Sequence, residues 1–87
     1  MKLKLKGSEA AAGTSSTNGS NVGLATLVRV HNGGGTRRLV SLETSAAALI
    51  GTFTIAPNAT ELMDKTATDE IFAAHADVLL VGIAYYS

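Results

Sequence analysis

Polar and apolar residues alternate with a period of two along most of this chain, which predicts strands rather than helices. Lys2 to Lys6 alternates Lys and Leu strictly. The alternation predicts a half-buried strand with Leu3 and Leu5 inward, and its lysine face suits a sheet edge. From Val22 to His31, one face takes Leu24, Thr26, Val28 and Val30; the other takes Ala25, Leu27, Arg29 and His31. Asn32-Gly33-Gly34-Gly35 tolerates positive φ and reads as a hairpin turn leading into a strand from Arg38 to Glu43. Glu43-Thr44-Ser45 is a polar turn, and Leu49 to Ile55 is the next strand. Pro57 fits the second position of a turn at Ala56–Ala59. Thr60 to Lys65 predicts a short strand with Leu62 inward. Thr66-Ala67-Thr68-Asp69-Glu70 places an acid three residues after a Thr and predicts one or two helical turns through Ala74.

Asp77 to Tyr86 is apolar on both faces. Leu79, Val81, Ile83 and Tyr85 share one, and Val78, Leu80, Ala84 and Tyr86 share the other. Such a strand is central in a sheet or is covered by a partner. About six or seven short strands at regular spacing predict an all-β chain: a small β-sandwich, jelly-roll-like or barrel, with one short helical turn near residues 67–74.

Gly7 to Asn21 is a different material. Gly, Ser, Thr, Asn and Ala dominate it, with no large apolar side chain to offset the entropy of ordering. The division this implies is an N-terminal strand plus extended arm over residues 1–21 and a sandwich domain over residues 22–87. The arm has two readings. It is a surface loop that returns Lys2–Lys6 to its own sheet, or it carries that strand to a neighbouring subunit. Long loops cost little extra closure entropy, which favours the first.

Composition adds a constraint on stability. Eighty-seven residues make one domain at most, and a domain this small buries only about 60% of its unfolded surface. There is no Cys to staple it, and Trp is absent. Seven basic and seven acidic residues cancel, while 46% of the chain is hydrophobic. Duplex-DNA binders carry a basic excess, so a nucleic-acid partner is not expected. A neutral, apolar chain is poorly protected against association, and some of its surface is expected to be covered by neighbours. The basic start lacks the apolar stretch of a signal peptide, so use without export is expected. No run approaches the roughly 18 apolar residues of a membrane helix.

Candidate chemistry is sparse. His31 and His75 lack a second ligand at metal spacing, and Asp64, Asp69, Glu70 and Asp77 lack the spacing of a calcium loop. The run from His31 to Arg38 combines glycines and arginines, but a strand rather than a helix follows the glycines, so no phosphate loop is expected. No serine sits in a nucleophile elbow. No catalytic, cofactor-binding or metal-binding residue is therefore expected, and no enzyme. The residues picked out for assembly contacts are Leu3 and Leu5 in the N-terminal strand, Arg29, Arg37 and Arg38, and a flat apolar set of Leu80, Ala84 and Tyr86.

The segments Leu27-Val28-Arg29-Val30-His31-Asn32, Arg38-Leu39-Val40-Ser41-Leu42, Ile50-Gly51-Thr52-Phe53-Thr54-Ile55 and Leu62 through Ile71 together resemble small virion proteins of tailed phages, of the cyanophage type. The resemblance implies a structural protein that decorates or cements a capsid, binding the major capsid protein and copies of itself. A head–tail adaptor or tail subunit of the same particle fits equally. The location it implies is the virion, assembled in the host cytoplasm. An alternative class is a small β-barrel module for glycan or single-stranded nucleic acid, which needs exposed aromatics for stacking.

Overall fold

Eight strands and a single 3-10 turn account for the regular structure of the computed structural model, which describes residues 2–86 with side chains through residue 85. The strands are β1 (Lys2–Leu5), β2 (Ala10–Ala11), β3 (Leu27–Asn32), β4 (Arg38–Glu43), β5 (Leu49–Ile55), β6 (Thr60–Asp64), β7 (Glu70–Ala73) and β8 (Val78–Tyr86). They form two antiparallel sheets. In the first, β1 and β2 follow one another along one edge of β8, and β3 and then β6 lie on its other side. The second has the order β5-β4-β7. The chain is all-β and sandwich-like.

The core is what the two sheets bury between them. Val28, Val30, Val78 and Leu80 come from the first sheet; Val40, Ile55, Ile71 and Ala73 come from the second. Side chains two apart on a strand share a face, so β3 shows strict alternation, with Val28, Val30 and Asn32 buried and Leu27, Arg29 and His31 half-exposed. Asn32 is the polar member of the buried set. Its amide donates to the carbonyls of Thr36 at 2.7 Å and Ile55 at 3.3 Å, and its Oδ1 accepts from Gly34 N–H at 3.0 Å. Each hydrogen bond offsets the cost of burying the amide.

Three local expectations are corrected. Asn32–Gly35 is not a hairpin turn, because β3 and β4 lie in different sheets; the loop crosses between them. Gly34 is required by close approach, since a Cβ there would collide with the Asp77 carboxylate. The helical turn near residues 67–74 is replaced by strand β7. Thr66 and Asp69 do bond reciprocally, Asp69 N–H to Thr66 O at 3.0 Å and Thr66 N–H to Asp69 Oδ2 at 3.3 Å. That closes one tight turn, and Ile71-Phe72 then favours extension. The 3-10 turn lies instead at Ser16–Asn18. Finally, Leu62 faces outward at 50% exposure, and its neighbour Met63 packs against the core.

The polar N-terminal segment is woven into both sheets. Strand β1 returns to β8 of its own chain, with Lys2 opposite Tyr86 and Leu5 opposite Ile83. Beyond β2, Ala12 N–H donates to Val78 O at 2.8 Å, and one residue later Gly13 O accepts from Ala73 N–H at 2.9 Å. The chain thus steps from one sheet to the other across a single peptide, with Ala12 buried in the core. Ser20 and Ile71 then exchange both backbone bonds, at 3.0 and 2.8 Å. Backbone pairing at two strand edges supplies the ordering that the side chains do not. The segment ends in a turn in which Val22, Gly23 and Leu24 all have positive φ, a conformation β-branched Val seldom adopts. The turn is seated on the first sheet where Gly82 leaves room: a Cβ on Gly82 would lie 2.8 Å from that of Ala25.

Two outcomes follow from this packing. Deleting residues 1–21 uncovers an edge of β8 and of β7 together, so the truncated chain is expected to lose its cooperative urea transition and much of its strand signal in far-UV circular dichroism. Ile71→Ala, at a side chain with no exposure, is expected to cost about 2–5 kcal/mol in unfolding free energy, measured by urea titration.

Candidate interaction surface

The outward face of the first sheet carries exposed apolar side chains at both of its margins, Leu3, Leu5 and Tyr85 at one and Leu62 at the other. Strand registers put Leu3 beside Tyr85 and Leu5 beside Ile83. They put Arg29 between Val81 and Leu62, and His31 between Leu79 and Thr60. On β3, β6 and β8 these residues alternate with ones packed in the core, and Leu3 and Leu5 lie on the side of Tyr85 and Ile83 by register, so all point away from the core. Leu3 is 47% exposed, Leu5 64%, Leu62 50% and Tyr85 41%. Val81 and Ile83 lie outside the inter-sheet core cluster yet are almost fully buried.

The strand of alternating Lys and Leu is therefore turned round from the sequence expectation. Leu3 and Leu5 are on the exposed face, where they extend the apolar surface past β8. Between β1 and β2 the chain leaves the sheet edge, and residues 7–9 form one wall of an open groove of ≈ 570 Å³. Leu3, Leu5 and Val81 contribute apolar lining, and Arg29 and Glu9 contribute charge. Arg29 Nη1 and Glu9 Oε2 are 3.0 Å apart, each side chain about one-third exposed. A pair this accessible adds at most about 1 kcal/mol to stability. Its effect is to place one charge of each sign in the middle of an apolar face.

The structure divides the expected contact residues into separate groups. Leu3, Leu5 and Arg29 come together on this face. Arg37 and Arg38 do not join them: Arg37 is exposed, and Arg38 lies in the second sheet with Nη2 3.3 Å from Asp77 Oδ2. Asp77 Oδ2 is also 3.3 Å from His75 Nδ1, so this second cluster ties β4 to the loop before β8. Leu80 is corrected outright. At 4% exposure it fills the core and is not available to a partner. Ala84 is half-buried beside a groove lined by Lys4, Lys6 and Tyr85, and the side chain of Tyr86 lies outside the described residues.

Two members of the face, Leu62 and Tyr85, were not picked out by sequence reasoning. In β6 the inward position is taken by Met63, paired with Val28. With one large apolar residue on each side of a short edge strand, alternation alone does not say which faces the core. The only available signal was that Tyr85 shares a face with Val81 and Ile83.

Among the described residues, no three His, Cys, Asp or Glu side chains converge as metal ligands. No helix among them is long and apolar enough to cross a membrane. No family model, no curated protein and no solved structure matches this chain.

The face and the core are separable by substitution. Leu62→Lys is expected to shift the unfolding free energy by less than about 0.5 kcal/mol, whereas Leu80→Lys buries a charge and is expected to cost more than about 4 kcal/mol. Urea denaturation of the two variants reads the difference.

Proposed function

We propose that this chain is a non-enzymatic structural protein of a tailed-phage virion that decorates or cements the capsid, binding the major capsid protein and copies of itself. The observation that supports the reading most is the exposure of Leu3, Leu5, Leu62 and Tyr85 on one face of the first sheet. Several large apolar side chains left exposed on one sheet face favour a contact site over an idle surface. The face is built on a sheet and carries one charge pair, which suits a protein neighbour better than a small ligand. A head–tail adaptor or tail subunit would use the same face, and differs only in where on the particle it sits.

The alternative of a glycan or single-stranded nucleic-acid module draws less support. Stacking platforms present several aromatic faces. Of the aromatic side chains described, Phe53 and Phe72 are half-buried and only Tyr85 is exposed.

The decisive experiment adds purified protein to capsid shells lacking it and measures co-sedimentation, alongside sedimentation equilibrium of the protein alone. Binding to shells and self-association are both expected, with both lost in a Leu3→Lys, Leu5→Lys, Leu62→Lys triple variant that keeps its circular dichroism spectrum. A stable monomer that ignores capsid shells overturns the proposal. Salt-sensitive binding to single-stranded DNA in its place promotes the module reading. Immunogold labelling of intact particles separates decoration from adaptor.

A further inference from the structure

Residues 44–48 join β4 to β5, and the loop is closed by Thr44 N–H donating to Ala48 O at 2.8 Å and Ala47 N–H to Thr44 O at 2.9 Å. Tight hairpin loops favour Gly, Asn, Asp or Ser. This one carries Ala46, Ala47 and Ala48, with Ala47 at φ 65°, where a Cβ is disfavoured. Turn geometry therefore does not account for the alanines. The apolar run continues into β5. Gly51 pairs with Leu42 and Leu49 with Glu43, so Ile50 is the extra residue of a bulge. Regular alternation would send one of two adjacent residues inward, but a bulge re-aims side chains. Leu49 and Ile50 are both left outside, at 65% and 51% exposure. Every residue from 45 to 52 is exposed, and no charge occurs between Glu43 and Glu61. Strand β5 pairs on one side only, with β4, and has none of the charges or prolines that guard a sheet edge. The β4–β5 hairpin thus ends in an uncharged apolar tip.

The groove on the first sheet is its counterpart. Leu3, Leu5 and Val81 line it, and its two charges, Arg29 and Glu9, are already bonded to each other. An occupant that brought a further charge would break that pair or bury a charge without a partner. An uncharged apolar occupant does neither, and the middle of a protein contact is ordinarily poor in charge. The tip meets that requirement, so the chain itself supplies a matching occupant. No residue of the tip lines the groove, and the two features belong to different sheets. One chain therefore offers a tip and a groove at once.

We propose that the β4–β5 tip of one copy, led by Leu49 and Ile50, docks in the groove formed by Leu3, Leu5 and residues 7–9 of a second copy. The proposal rests on the reading of the first-sheet face as a contact surface, and it names what that groove receives. A contact between two different patches is heterologous. Each added copy leaves a tip and a groove free, so the assembly continues into a ring or an open array instead of stopping at two. Symmetrical pairing of two β5 edges, or of two grooves, would stop at a dimer and use one patch alone.

The test is complementation between two disabled variants, read by sedimentation equilibrium. The wild-type chain is expected to gain mass with concentration beyond twice the 8.9 kDa of one copy. Leu3→Lys with Leu5→Lys disables the groove, and Leu49→Lys with Ile50→Lys disables the tip. All four positions are exposed, so each double variant is expected to keep the wild-type circular dichroism spectrum and to sediment as a monomer. Mixed in equal amounts, the two are expected to form a dimer and nothing larger, because together they hold one working tip and one working groove. Leu62→Lys, outside the groove, is expected to self-associate as the wild type does. A wild-type chain that stays monomeric or stops at a dimer, a double variant that still self-associates, or a mixture that stays monomeric overturns the proposal. Binding to capsid shells is scored separately. A monomeric wild type that binds shells overturns the tip–groove contact alone, and complementation without shell binding overturns the virion reading alone.

Discussion

Pairing of β8 on both of its edges is the constraint from which the rest of this structure follows. One edge takes the first residues of the chain, β1 and then β2, and the other takes β3. Every backbone polar group of a central strand is then satisfied by neighbours remote in sequence, and both faces of the strand are free to be apolar. Inward, Val78 and Leu80 build the core; outward, Val81 and Ile83 are almost fully buried without belonging to it. The outward face is a direct result, with residues 7–9 along one side of it and Leu3, Leu5, Leu62 and Tyr85 left exposed.

A second constraint comes from having little to pack. Without Cys or Trp, the fold depends on aliphatic side chains and on complete hydrogen bonding. Residues 12–20 show how a segment with no large side chain is still ordered: one small residue in the core, and backbone bonds to β8 and β7 at either end. The same economy explains the buried Asn32, which ties the loop Gly34 and Thr36 to β5 through one amide. Glu43 is where the economy fails, since one of its oxygens is left without a protein partner.

Period-two alternation made most strands legible. The strand from Arg38 and that from Leu49 to Ile55 lie where the pattern places them, and the two-faced apolar run at the end of the chain is central as its composition requires. What alternation does not carry is the partner of each strand. The Gly-rich loop after Asn32 has every mark of a hairpin, yet it joins two sheets, because tertiary pairing and not turn chemistry chooses the neighbour. Thr66 and Asp69 make the bonds of a helix start, and Ile71 and Phe72 override them. The face was half visible: Leu3, Leu5 and Arg29 were chosen, but with the leucines pointing the wrong way, and Leu80 was chosen for the surface when it belongs to the core. A period of two fixes which residues share a side and leaves open which side is wet. The pairing of Glu43 with Glu70 was illegible for a related reason, since the two are far apart in sequence and meet only through the β4–β7 register.

The meeting of Lys2 with Tyr86 also has a kinetic side. The middle strand of the larger sheet follows in sequence every strand it pairs with. Until Val78–Tyr86 has emerged, β1 and β3 lack the strand that lies between them, and half the core has no floor. The larger sheet therefore closes only once that strand is made, and until then β1 and β3 stand as unpaired edges.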